Sequence, residues 1–149
     1  MLGGETHNRT GVTHGPYTDQ MLETINVQKA FLSVAGVNAK GFFNSNMLLV
    51  ETERCMMRSA DRTIIVVDST KFGKSSLARM CEWQDVDTLV VDDGLDAHWK
   101  QHAEELGVRL ILAPAIQPDA SQEHLPESAS MHESKAESEH PPSRGLQAS

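Results

Sequence analysis

The chain has 149 residues, enough for one domain of ordinary size. Only 39% of its residues are hydrophobic, and a net charge of −8 repels phosphate backbones, so the ordered part is not expected to grip nucleic acid by itself. No apolar stretch is long enough to span a bilayer and none reads as a signal peptide, so the expectation is a reduced, cytoplasmic setting with Cys55 and Cys81 as free, buried thiols and no membrane partner.

In chain order, "MLGGETHNRTG" reads as the last scrap of a strand that turns at Gly3-Gly4. After a Gly15-Pro16 break, Tyr17 to Ile25 places Tyr17, Met21, Leu22 and Ile25 on one helical stripe. "KAFLSVAGV" (Lys29 to Val37) reads as a strand closed by Gly36, and "NAKG" as a turn. A helix is expected from about Asn46 to Ala60, with Leu48, Thr52, Cys55, Met56 and Ser59 inward and Glu51, Arg54 and Arg58 along another side. "TIIVV" (Thr63 to Val67) is continuously apolar, as in a strand covered on both faces. Ser75 to Cys81 is expected to form a short helix.

"TLVV" (Thr88 to Val91) is a further covered strand, ending at Asp92-Asp93-Gly94. Leu95, Trp99, His102 and Leu106 then step along a helix that stops at Gly107, and "VRLILA" (Val108 to Ala113) is the last strand. From Pro114 onward large apolar side chains are almost absent and Ser, Glu, Pro and His abound. Such a stretch cannot bury enough surface to offset chain entropy, so residues 114–149 read as a disordered acidic tail behind a 1–113 folding unit. Strands alternating with helices over short links predict an α/β fold with a mostly parallel sheet and helices on both faces.

Ligands of such sheets sit outside the carboxyl ends of the strands. That rule gathers Gly36 and Asn38, then Asp68-Ser69-Thr70-Lys71, then Asp92-Asp93-Gly94, at one rim. Lys71 can neutralise an anion as a point charge, with Ser69 and Thr70 adding hydroxyls, or be a solvated strand-end lysine. Asp68 either orients Lys71 or bonds a sugar hydroxyl, or else caps its own turn. Asp92 and Asp93 either form an acid–base pair, or one caps the helix at Leu95 and the other is solvated. Glu51, Arg54 and Arg58 either line the pocket mouth or form a helix salt-bridge stripe. His98 and His102 have i, i+4 spacing, but no glutamate follows His98 as in a zincin helix, so neither a metal nor a cofactor is expected.

These pieces together resemble a family. "LGG" (Leu2–Gly4), "GP" (Gly15-Pro16), "KAFLSVAGVN" (Lys29–Asn38), "ETERCMMRSA" (Glu51–Ala60), "DSTKFG" (Asp68–Gly73), "VDTLVVDDGL" (Val86–Leu95) and "GVRLILA" (Gly107–Ala113) resemble, in order and spacing, the C-terminal effector-sensing domain of the DeoR family of bacterial transcription regulators. The resemblance implies a fold shared with ribose-5-phosphate isomerase, glucosamine-6-phosphate deaminase and CoA transferases. It implies a phosphorylated sugar or related anionic metabolite as partner, with DNA contacted only through a winged helix-turn-helix domain that is missing here, together with the sensor domain's first strands. A homo-oligomer is expected.

Carried over by motif, Lys71 corresponds to the family lysine that contacts the ligand's anionic group. Gly36 and Asn38 fall in an effector loop and Gly3-Gly4 in a Gly-Gly turn, so the expected effector site comprises Lys71, Asp68, Ser69, Gly36, Asn38, Glu51, Asp92, Gly3 and Gly4. The chain departs from the family pattern at Leu49, where a glutamate is usual, and at Glu53, where a lysine is usual. Asn38 stands where the family has Asp or Ser. Three functions remain open at this point: a non-enzymatic sensor, a sugar-phosphate isomerase or deaminase of the same fold, and a fragment that neither binds nor catalyses.

Overall fold

A computed structural model of the chain describes residues 3–7 and 11–114. The proposed strand remnant at Met1-Leu2 and, beyond Pro114, the tail lie outside the described residues. The elements run β1 (Glu5–His7), β2 (Val12–His14), α1 (Pro16–Glu23), β3 (Ala30–Leu32), β4 (Gly36–Asn38), β5 (Gly41–Asn44), α2 (Met47–Arg58), β6 (Thr63–Val66), β7 (Ala78–Cys81), β8 (Thr88–Asp92), α3 (Ala97–Glu105) and β9 (Arg109–Ala113). Single 3-10 turns occupy Ser69–Lys71 and Trp83–Asp85.

Four of these strands form a wholly parallel sheet in the order β3-β6-β8-β9, with Leu32, Ile65, Leu89 and Leu110 in register across it. Strand order follows chain order in one direction only. Right-handed crossovers therefore throw every connection between these strands to the same face. Burial agrees: Leu32, Ile65 and Leu89 join Val50 of α2 and Ala103 of α3 in one core, whereas Phe31, Val66 and Ile111 on the opposite face are 61%, 45% and 40% exposed. The α/β class and the parallel sheet are as expected, but α2 and α3 pack on one face instead of being shared between two.

The predicted strand Lys29–Val37 is split between two sheets. After β3 the side chain of Asn44 seizes the bend: its amide donates to the Ser33 carbonyl (3.1 Å) and its oxygen accepts from the Ala35 N–H (2.8 Å). The chain then leaves the parallel sheet as β4, the first strand of an antiparallel set ordered β4-β5-β7. The "NAKG" turn is present as a hairpin with Asn38 facing Gly41, whose φ of +128° only glycine adopts readily. Ser75–Cys81 contains no helix. Its second half is β7, because β5 offers a ladder in which Phe42 faces Cys81 and Asn44 faces Ala78, and that pairing overrides local preference.

Helix α2 starts where the Asn46 side chain accepts the Leu48 N–H at 2.9 Å. Its buried residues are Val50, Thr52 and Cys55, with Ser59 just beyond, while Leu48, expected inside, is 63% exposed. The helix is gripped from two directions. Val50 and Arg54 face the β7 side, and the Thr52 hydroxyl donates to Asp19 (2.7 Å) and the Ser59 hydroxyl to the Leu22 carbonyl (2.7 Å) of α1. On α1 the inward residues are Thr18 and Leu22. Tyr17, Met21 and Ile25 of the expected stripe are exposed, because the Thr18 hydroxyl is drawn to the Gly3 carbonyl at 2.5 Å and sets the helix's rotation. Cys55 and Cys81 are free and buried.

Candidate functional site

At the carboxyl ends of β6 and β8 two turns are locked together by one carboxylate. Asp92 accepts the Ser69 N–H at 2.6 Å on one oxygen and the Gly94 N–H at 3.0 Å on the other. The Ser69 backbone bond, the Ser69 hydroxyl and the Gly94 N–H hold Asp92 below the usual carboxylate range. An acid whose charged form is favoured by three hydrogen bonds is a weak proton acceptor, so Asp92 works here as a fastener. It does not cap the following helix. That role falls to Asp96, whose side chain accepts the His98 N–H at 2.8 Å at the start of α3.

Asp68 caps its own turn and also lies near Lys71. One oxygen accepts the Thr70 N–H (3.1 Å) and the Thr70 hydroxyl, closing the turn, and the other lies 3.9 Å from the Lys71 ammonium. Lys71 and Asp68 are both about half exposed, so this pairing is loose and worth at most about 1 kcal/mol. The ammonium thus remains accessible to a second anion.

Gly36 belongs to the same neighbourhood. A parallel bridge between Val37 and Phe72 lays β4 beside the turn that carries Lys71, and the Lys74 carbonyl passes so close that a Cβ on Gly36 would sit 2.8 Å from it. Asn38 is spent differently: its side-chain oxygen accepts the Lys40 N–H (2.7 Å) and its carbonyl accepts the Trp83 indole N–H (2.9 Å). Glu51 pairs with Arg54 at 2.5 Å, and Arg54 reaches the Met80 and Arg79 carbonyls at 2.9 and 2.7 Å, which pins α2 to β7. Gly3 and Gly4 lie against Thr18 and His14, at the start of α1. Among the described residues, Asp68, Ser69, Lys71, Asp92 and Gly36 are thus tied into one connected rim, whereas the recorded contacts of Asn38, Glu51, Gly3 and Gly4 lie elsewhere.

A family model described as the DeoR C-terminal sensor domain matches residues 1–93, which include this rim up to Asp93. The chain belongs to that family. Among curated relatives it is 33% identical over 101 residues to an uncharacterized HTH-type transcriptional regulator, YulB, of Bacillus subtilis, covering 67% of this chain and 39% of the relative. It is 30% identical over 113 residues to a putative aga operon transcriptional repressor of Escherichia coli O157:H7, covering 75% and 42%. To the L-fucose operon activator of Haemophilus influenzae it is 24% identical over 113 residues, covering 75% and 45%. The chain thus spans about two fifths of the length of these relatives.

As a DeoR-type sensor domain the chain holds one polar contact that motif reading missed. Both oxygens of Glu53 accept from the Asn44 amide at 2.9 Å, so the residue standing where the family has lysine clamps the bend at Ser33–Ala35, just ahead of Gly36. Burial pushes the Glu53 carboxyl up, and the Asn44 bond only partly offsets it. The available signal was Asn44 itself, an amide at the end of the apolar run "GFFN". Among the described residues no group of three or more His, Cys, Asp and Glu side chains is placed to hold a metal ion, and no helix is long and apolar enough to cross a membrane.

Proposed function

We propose that this chain is the ligand-sensing portion of a cytoplasmic DeoR-family regulator, binding a phosphorylated sugar or similar anionic metabolite at the Asp68–Lys71 rim. The observation that carries the reading is the Lys71 ammonium, loosely held at 3.9 Å by Asp68 beside a turn stiffened by Asp92. In water a lone lysine binds a phosphate weakly. Here the Ser69 and Thr70 hydroxyls are bonded to Asp92 and Asp68, which stiffens the turn that presents the lysine and lowers the cost of ordering it around an anion. The ligand's preference for one conformation or assembly of a homo-oligomer would be passed to an attached helix-turn-helix domain, which alone would touch DNA.

A non-catalytic role fits the rim's proton chemistry, since its best-placed carboxyl, Asp92, is held ionised and doubly hydrogen-bonded. Thermal melts across a panel of sugar phosphates test the proposal. A saturable rise in melting temperature, absent in Lys71→Ala while the ligand-free melt stays within about 2 °C of the parent, is the expected result. A flat response to the whole panel refutes ligand sensing by this chain. Turnover of ribose 5-phosphate or glucosamine 6-phosphate would show an enzyme instead.

A further inference from the structure

Among the described residues one buried side-chain polar atom lacks a hydrogen-bond partner: Nε2 of His102. Native interiors rarely leave such an atom unsatisfied, and a bound group is one of the usual reasons when they do. His102 helps line a cavity of about 280 Å³ whose other walls include Lys40, Arg79, Trp83 and Gln84. Arg79 lies 3.1 Å from Glu82, and its guanidinium also approaches the Lys40 carbonyl at 3.5 Å, which brings the hairpin tip and β7 together at the mouth. Lys40 is in none of the ion pairs recorded among the described residues.

The cavity lies away from the Lys71 rim. Trp83 and Gln84 sit in the turn that enters β8, and His102 and Leu106 are at the end of α3 that leads into β9, so these walls stand at the amino ends of the strands. Lys71 and Asp92 leave the carboxyl ends. Two cations and the ring of His102 thus line one cavity in a chain whose overall charge is −8. Glu82 offsets one of the cations and leaves the other in excess.

We propose that this cavity is a second anion site, taking a small oxyanion, whether a phosphoryl group or a carboxylate. The oxyanion accepts from Lys40 and Arg79 at the mouth, and from His102 Nε2–H once the ring turns that buried atom toward the cavity. Occupation supplies the missing partner and joins the β4–β5 hairpin to α3, elements otherwise linked here through Trp83.

The chain carries its own reporter. Both of its tryptophans contact the His102 ring, Trp83 at 4.9 Å edge-on and Trp99 at 5.8 Å. The full 149-residue chain is titrated with inorganic phosphate and, separately, with acetate, at constant ionic strength set with sodium chloride, while tryptophan emission is followed. A saturable change with phosphate alone assigns the site to phosphoryl groups, and one with both assigns it to oxyanions generally. Lys40→Ala, an exposed substitution that leaves the core intact, is expected to weaken the apparent affinity about tenfold. His102→Asn is expected to remove the response. Because Phe72, next to Lys71, also touches Trp99 at 5.7 Å, Lys71→Ala is the deciding control. The response must survive that change. Its loss in Lys71→Ala, its retention at full affinity in Lys40→Ala, or no saturable change with either anion in the parent chain overturns the proposal.

Discussion

Replacing Gly36 by alanine tests the packing on which the rim depends. The added Cβ would lie 2.8 Å from the Lys74 carbonyl oxygen and 3.1 Å from its carbon, whereas ordinary contact begins at 3.4 Å. Both atoms are backbone, so no side chain can swing aside and the Lys74–Ser75 segment must retreat by about half an ångström. Overpacking of that kind costs about 1–3 kcal/mol, which for a domain near 110 residues lowers the melting temperature by roughly 5–15 °C. The displaced carbonyl follows the turn that carries Lys71, so stabilisation by sugar phosphates should shrink as well. Two neighbouring substitutions calibrate the result. Gly3→Ala meets nothing within 4 Å and should melt within about 2 °C of the parent. Gly4→Ala combines a φ of +137° with a Cβ 2.7 Å from the His14 carbonyl and closer still to the Thr18 hydroxyl, so it should lose more than Gly36→Ala. Thermal melts by circular dichroism on the three variants decide the matter. A Gly36→Ala melt coincident with the parent, or a Gly3→Ala loss as large as that of Gly36→Ala, refutes the reasoning.

Helix α2 offers a second check: Val50→Ala should cost about 2 kcal/mol in urea denaturation and Leu48→Ala less than about 0.5, reversing the order expected from the sequence stripe. The thiols offer a third. Burial pushes Cys81 up to about 12, so at pH 9 neither it nor buried Cys55, also raised by burial, should react with a disulfide reagent until denaturant is added; rapid labelling of the native chain would contradict this. Because the folded-state value of Cys81 lies above its unfolded one, its contribution to stability is complete below about pH 9 and is lost between pH 9 and 12. The urea midpoint should therefore fall more steeply over that window in the parent than in Cys81→Ala.

Three strands of the parallel sheet were legible because Thr63–Val67, Thr88–Val91 and Val108–Ala113 are continuous runs of β-branched and large apolar residues with few alternatives, even though Val66, Ile111 and Leu112 stay exposed. What local pattern could not show was commitment to a partner. β7 looked helical because nothing within "SSLARMC" reveals that Phe42 and Asn44 will pair with it. Lys29–Val37 looked continuous because the break is imposed by Asn44, nine or more residues downstream. Helix rotation failed for the same reason: Thr18 outranks Tyr17 and Met21 only once the Gly3 carbonyl is in place.

The rim shows the same division. The strand-end rule anticipated that Asp68, Lys71 and Asp92 would lie at the carboxyl ends of β6 and β8, since that placement depends on topology alone. It said nothing of how each polar group would be used, and there the structure separates them. Asp92 and Asp68 accept N–H bonds of the turns themselves, Asn38 closes its own hairpin, and Glu51 pairs within its helix. Of the charged groups in the expected site, only the Lys71 ammonium has its recorded partner as far away as 3.9 Å and loosely paired. Every bond that shapes its turn is made among β4, β6 and β8 and the loops leaving them, on elements tied together by the parallel sheet and the Val37–Phe72 bridge. The turn's geometry therefore does not rely on whatever meets Phe31, Val66 and Ile111 on the sheet's exposed face. On the proposed reading the anion would meet the lysine on this stiffened turn, so Lys71→Ala separates sensing through the rim from sensing through any other surface.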